Sequence, residues 1–372
     1  MLSDRPDAEQ AEHHSSDESL LGRHLEVDDA DSALGDDEDA DSAFTSAASK
    51  AVEWRFENGR RYHAYDDGSA YPHTSLTHTN TTSLTPSPKT PAYNLPNDEL
   101  EQERLDLQHV MWLMTHHNAL HLSPISPQHT HRVLDVGTGT GAWAIAFAER
   151  HPAAHVVGTD LSPVQPAFAP PNCEFLVDNA ERDWAFDEYD RGGSKKKFDF
   201  VHARMLCMGV HDWPRFLRQC WDNLAPGGWL ELREITFPWA TVDDDDDDGG
   251  GGGAGNDSSS ALLRWSEDVR RGAAKAGIDT TACRDFDAHL RALGFVDVRK
   301  ERPAWPLGAW PRGRREKLLG RYALRNLETG LEAISTAVFS RYLGMSRESI
   351  ELSLMEARRD LHDPTMHHYA PL

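Results

Sequence analysis

The chain has 372 residues and a formal net charge of −23, and that charge is concentrated rather than spread. Residues 1–50 carry 15 Asp/Glu against 3 Lys/Arg, and residues 243–248 with Asp257 add seven more negatives, leaving about −4 for the rest, an ordinary folded surface. That balance argues against direct nucleic-acid binding, four scattered cysteines (Cys173, Cys207, Cys220, Cys283) argue against a disulfide framework or a zinc site, and no apolar run approaches the roughly 18 residues of a membrane span. With no basic-then-apolar leader at the N-terminus, the expectation is a cytoplasmic or nuclear protein without a membrane partner. The histidine pairs His13-His14, His116-His117 and His367-His368 have no further ligands nearby in sequence, so no metal is expected.

Residues 1–50 are acidic, Ser/Ala-rich and nearly free of aromatics. They cannot bury enough surface to offset the entropy of ordering and are expected to form a disordered tail. The rest, 51–372, is expected to be one domain carrying two flexible insertions. One is the Ser/Thr/Pro-rich stretch 69–91; the other is the Asp/Gly/Ser run 243–260. Between tail and first insertion, aromatics and arginines of residues 54–65 mark a segment that docks on something.

A helix is predicted to begin near Asp98, where Pro96 sets the turn and Glu101 follows three residues on, like a capping box. From His131 the pattern becomes strand–helix alternation. Short apolar runs at 132–136, 155–159, 173–177, 198–203 and 229–235 alternate with helical periodicity at 142–150 and 216–224. Such alternation implies an α/β fold, a doubly wound and mainly parallel sheet. Helices at 262–276, 286–293 and within 314–361 make helical C-terminal additions, and 295–300 is predicted to be a strand.

The first predicted strand runs into Asp135-Val136-Gly137-Thr138-Gly139-Thr140-Gly141. In a doubly wound sheet a ligand sits beyond the carboxyl end of such a strand. Gly137, Gly139 and Gly141 give the tight turn and the close backbone approach that a ligand needs. Gly137-x-Gly139-x-x-Ala142 also fits a dinucleotide fingerprint, with Asp160 at the ribose distance. Three features favour S-adenosyl-L-methionine instead. Asp135 is placed to organise the loop and help hold a methionine ammonium, Asp178 closes the third strand beside the adenine position, and Pro226-Gly227-Gly228 leads into the fifth. Asn179 or the backbone of Ala180 is an alternative adenine contact, and Asp160 has turn capping as its plainer role.

At these residues the chain resembles the fungal LaeA-type methyltransferases, a class I, Rossmann-like family. The resemblance rests on Glu57-Asn58-Gly59-Arg60-Arg61-Tyr62-His63, on Leu95-Pro96-Asn97-Asp98-Glu99 with Arg104, Leu105, Asp106 and His109, and on Asp160-Leu161-Ser162-Pro163. The blocks Phe198-Asp199-Phe200-Val201-His202-Ala203-Arg204 and Leu224-Ala225-Pro226-Gly227-Gly228-Trp229 complete it. It implies methyl transfer from S-adenosyl-L-methionine to a small-molecule acceptor of secondary metabolism. A role as a nuclear regulator working with protein partners on a protein acceptor, or as a cofactor binder without activity, stays open. It also implies that residues 57–63 belong to the folded unit and help close the site, and that the segment after Arg204 faces the acceptor, with His211 or Asp212 as candidate base. The family ends in one further antiparallel strand after a His-x-Tyr-like segment. Here only Ala370-Pro371-Leu372 follow Tyr369, so a gap in the sheet is expected.

Overall fold

A computed structural model describes residues 54–63, 93–186, 196–242 and 260–372. The expected tail and the insertion at 69–91 lie outside the described residues, as does the second insertion up to residue 259. Ser260 is described, and its side chain caps the helix that follows.

The centre is a five-stranded parallel sheet in the order β5-β4-β3-β6-β7. Its strands are β3 (Arg132–Val136), β4 (His155–Asp160), β5 (Cys173–Val177), β6 (Phe198–Arg204) and β7 (Leu224–Arg233). Successive side chains of a strand point to opposite faces, and each face has its own core. Leu134, Val136 and Val201 pack with Phe216 and Leu217 of α3 (Trp213–Asn223). Val133, Val156 and Phe200 pack with Trp143 and Phe147 of α2 (Ala142–Arg150). β3 lies between β4 and β6, so the chain leaves its carboxyl end at the point where strand order reverses.

A third core belongs to the helical additions. It joins α1 (Glu99–Thr115), α4 (Ala261–Lys275), α6 (Arg314–Val338) and α7 (Arg347–Leu361) around the fully buried Trp265. The Trp265 indole donates to Ser335 Oγ at 2.8 Å, which satisfies the one polar atom that its burial would strand. As the sequence leads one to expect, α1 is capped by Asp98, whose carboxylate accepts from Glu101 N. The reciprocal half of the box is missing, because the Glu101 carboxylate is taken by Arg104 at 2.6 Å.

The block from Glu57 to His63 forms a hairpin of β1 (Trp54–Glu57) and β2 (Arg60–His63). Asn58 and Gly59 at its tip both have positive φ, the mirror-image turn that suits a two-residue hairpin. The hairpin is anchored on the domain. Arg60 Nη2 donates to Asp98 Oδ1 at 2.8 Å, Asn97 N donates to Arg61 O at 2.8 Å, and Arg341 pairs with Glu57.

Two expectations for the far edge need correction. Residues 295–300 form no strand. They run beside α5 (Phe286–Leu293) without a ladder, because β7 stands across a cavity of about 810 Å³ rather than alongside them. The end of the chain is itself a strand, β10 (His368–Pro371), between β8 (Ala240–Thr241) and β9 (Ala304–Pro306) in a small antiparallel sheet. Thr236 N donates to Pro371 O and Leu372 N donates to Pro303 O, each at 3.0 Å. Pro371 and Leu372 therefore lie at one end of the cavity, and the open space lies beyond the edge strand β7, not as a gap within the five consecutive strands.

Candidate functional site

The glycine loop follows β3 at the strand-order reversal. Gly137, Gly139 and Gly141 all have positive φ, which costs a residue with a Cβ. At Gly137 the restriction is also spatial, since a Cβ there would lie 2.4 Å from Leu206 Cδ2. Thr138 N donates to Thr159 O at 2.9 Å, tying the loop to the neighbouring strand.

Asp135 is buried and fully engaged. One oxygen accepts from Thr138 Oγ1 at 2.6 Å, and the other lies 2.7 Å from His202 Nδ1. Burial pushes the His202 imidazole below its usual range, with the adjacent carboxylate opposing. The ring is therefore neutral, its Nδ1–H donates to Asp135, and Nε2 is left as a bare acceptor without a partner. Trp143 stacks on it with centroids 3.8 Å apart and planes within 5°. Residue-level reading of the sequence does not single out His202 as a site residue, although a polar residue inside an otherwise apolar strand is the available signal.

Asp160 does cap the loop. Its carboxylate accepts from Gly139 N at 2.8 Å and from Ser162 N at 2.9 Å. Burial nonetheless raises its pKa to about 6 against those backbone donors. Asp178 accepts from Asn179 N at 2.8 Å, and its own N–H donates to Asp160 O. Asn179 is buried and accepts from Glu181 N. The Ala180 carbonyl is occupied by the Trp184 and Gln219 side chains. Asp135, the three glycines and Asp160 thus come together in one place, while residues 178–180 follow the next strand, beside Asp160.

α1 covers the loop. Asp106 accepts from Thr140 Oγ1 at 2.6 Å, and Leu105 is the nearest neighbour of the Gly139 position. Gln165 Nε2 donates to Gly139 O at 2.6 Å. The space enclosed by Leu105, Gln108, Asp135, residues 137–140, His202 and Arg204 is about 40 Å³, room for roughly one water.

His211 and Asp212 have structural partners. His211 Nδ1 lies 2.8 Å from Glu181 Oε2, and Asp212 caps α3 through Arg215 N. The segment before them hangs on Glu234, whose two carboxylate oxygens accept from Leu206 N at 3.0 Å and Cys207 N at 2.9 Å. Burial raises the Glu234 pKa to about 8, above the ordinary carboxyl value, so the folded state binds this proton more tightly than the unfolded one. Its contribution to stability is full below the ordinary value near 4.5 and is lost as pH rises through about 8. Glu234→Gln cannot titrate. Thermal melts from pH 5 to pH 9 are expected to show the native protein losing stability relative to this variant as pH rises. A constant difference between the two would mean that Glu234 keeps one protonation state throughout.

A loop of this geometry, at a strand-order reversal and flanked by carboxylates ending two adjacent strands, defines a class of nucleotide-cofactor protein. Residues 104–298, just over half of the chain, match the family described as "Methyltransferase domain". The chain belongs to this family of S-adenosyl-L-methionine-dependent methyltransferases. Among its relatives it is 34% identical over 313 residues to Methyltransferase pytC of Aspergillus terreus, covering 84% of each chain. It is 30% identical over 317 residues to Secondary metabolism regulator laeA of Aspergillus flavus, covering 84% of this chain and 74% of that one. Protein-methionine methyltransferase laeA of Emericella nidulans is 29% identical over 330 residues, covering 88% and 77%. No helix among the described residues is long and apolar enough to cross a membrane.

Proposed function

We propose that S-adenosyl-L-methionine lies across the glycine loop, with its ribose on Asp160, its adenine beside Asp178, Asn179 and Ala180, and its amino-acid end near Asp135. The observation that carries this reading is the pair of carboxylates, Asp135 and Asp160, ending adjacent strands on either side of one loop of positive-φ glycines. The residues suit the group: the glycines leave bare backbone where side chains would intrude, and Asp160 lies at the second strand's end, where ribose hydroxyls can be met by a charge-assisted acceptor. The space of about 40 Å³ is too small for an adenosyl group, so binding displaces the α1 contacts at Leu105 and Gln108.

The cofactor supplies a methyl already activated on sulfonium. The chain's own work is to fix orientation and exclude water. Asp135, held by Thr138 and His202, cannot swing, and α1 roofs the site. His211 is held through Nδ1 by Glu181 Oε2 and Asp212 caps α3 through Arg215 N, so of the two His211 is the one whose other ring nitrogen could serve an acceptor that must lose a proton.

The acceptor class is read as a small molecule of secondary metabolism; pytC is named as a methyltransferase and not as a regulator, and the metabolism is that named for the laeA relatives. The laeA relatives support a second reading, a regulator acting with protein partners on a protein acceptor. Calorimetry with S-adenosylhomocysteine and with NAD tests the cofactor: binding of the first and not the second is expected, and the reverse would overturn the reading. Comparing metabolites of cells with and without the protein tests the acceptor. One methylated product lost with the protein supports a tailoring enzyme, whereas many unrelated products changing together supports the regulator.

A further inference from the structure

Surface arginines on the helices of this protein are mostly matched to acids. Arg270 pairs with Glu267, Arg271 with Asp268, Arg291 with Asp287 and Arg347 with Glu351. The N-terminal half of α6 departs from this. Arg314, Leu318, Arg321 and Arg325 are all exposed, and their spacing of four, three and four residues puts them on one face of the helix. Arg325 reaches Glu328 at 3.6 Å. Among the described residues Arg314 and Arg321 make no ion pair, and Leu318 between them is 47% exposed. Arg314, Arg315 and Lys317 also load the first turn of α6, whose cap Gly313 contributes no side chain, with the sign that a helix N-terminus disfavours.

Charge and reach together indicate what covers this face. Residues 26–41 hold nine Asp/Glu and no Lys/Arg, with Val27 and Leu34 interleaved, the complement of an arginine stripe that carries one exposed leucine. They join the domain through Trp54, in the hairpin whose Glu57 pairs with Arg341. Arg341 sits in a π-helical turn, Phe339–Leu343, that continues α6. Arg321 therefore lies 20 residues from it along one helical run, or about 30 Å. Leu34 stands 20 residues before Trp54. A chain of that length spans roughly 25 Å as a random coil and at most about 70 Å when extended, so the acidic run reaches the stripe.

We propose that residues 26–41 dock on the α6 stripe of their own domain, setting carboxylates against Arg314, Arg321 and Arg325 and apolar side chains over Leu318. Single exposed ion pairs are worth little. An array of them on one tether gains from an effective concentration that is greatest when the reach of the tether matches the span. The contact is electrostatic and yields to salt. While docked, the acidic run withholds this face from other polyanions, and an acidic partner must displace it to bind there.

The test uses the full chain with Arg321→Lys, which keeps the charge and places an amine on the stripe. A carbodiimide joins carboxylates to amines in direct contact, and peptide mapping reads which pairs were joined. Amide links from the acids of 26–41 to position 321 are expected in low salt, and their loss in about 0.5 M NaCl. Small-angle scattering of the native chain and of the double variant Arg314→Glu, Arg321→Glu gives a second reading. The native radius of gyration should rise with salt as the acidic run is released, whereas the double variant should start expanded and change little. Both positions are exposed, so the double variant should melt with the native protein. Links from 26–41 that fall only on lysines elsewhere, such as Lys275 or Lys300, would overturn the proposal, as would an absence of such links. Links to position 321 that come from Asp243–Asp248 instead would also overturn it, and so would a radius of gyration indifferent to both salt and charge reversal.

Discussion

Asp160→Asn is expected to weaken S-adenosylhomocysteine roughly a hundredfold. In the proposed binding mode two charge-assisted bonds to ribose hydroxyls, each worth about 1.5–3 kcal/mol, lose the charge that makes them strong, and every 1.4 kcal/mol is a factor of ten. The structure adds a second effect. The same carboxylate holds Gly139 N and Ser162 N, and a carboxamide has only one acceptor oxygen to share between them. The free variant should therefore lose about 1 kcal/mol of stability, much less than its loss in binding. A pH signature separates the two. With burial raising the Asp160 pKa to about 6, native affinity should fall as pH drops through that value, whereas the Asn variant should bind equally weakly above and below it. Thermal melts with and without ligand at pH 5 and pH 8 read both effects. Undiminished ligand stabilisation in the variant would place the ribose elsewhere.

Gly320→Ala is expected to cost the fold far more than one added methyl usually does. Gly320 lies within α6, where alanine normally helps by nearly 1 kcal/mol. Here its Cβ would sit 1.8 Å from Gly308 O and 2.8 Å from Gly308 C. Both are backbone atoms and cannot rotate away, and Gly308 N also donates to Gly320 O at 3.1 Å. The helix must leave β9 or the β9 loop must leave the small sheet. A cost near the top of the overpacking range, about 3 kcal/mol, is expected, or a melting temperature lower by roughly 5–10 °C. Gly330→Ala in the same helix meets side-chain atoms and no backbone, Arg104 Cδ at 3.2 Å and Ile334 Cδ1 at 3.6 Å, and should change stability by less than about 1 kcal/mol. If the two variants melt together, the contact between α6 and the loop after β9 is not tight.

Much of the central sheet was legible because buried parallel strands read as apolar runs bounded by glycines and carboxylates. The glycine loop followed from its place after such a run. β7 was harder. It begins at Leu224, before Pro226-Gly227-Gly228, and a Pro-Gly-Gly triplet hides a strand start behind turn chemistry. Residues 295–300 alternate as a strand should, but a strand requires a neighbour, which no local pattern reveals. Within the site, Asp135 and Asp160 could be named from their positions at strand ends. The contacts of His202 could not, because they depend on which groups from α2 and β3 arrive beside it. Gly320 is the extreme case: in sequence it reads as a weak helix residue, and only the loop packed against it explains it.

The open side of β7 has a consequence for how these molecules behave in a crowd. A sheet edge offers a row of amides and carbonyls still looking for partners, and the apolar trough next to it, lined by Val296, Val298 and Leu230, rewards whatever dries it. Natural sheets guard such edges with charge, proline or a covering element. In this chain the guard is slight: β7 carries Pro226 and the mutually paired Glu231 and Arg233, and Arg299, Lys300 and Glu301 stand on the opposite bank of the trough. Self-association at high concentration is the expected result. In dilute solution the edge stays hydrated, and in dense solution one molecule's edge becomes a template for another's extended segment, so self-association would begin at β7 before any helix has melted.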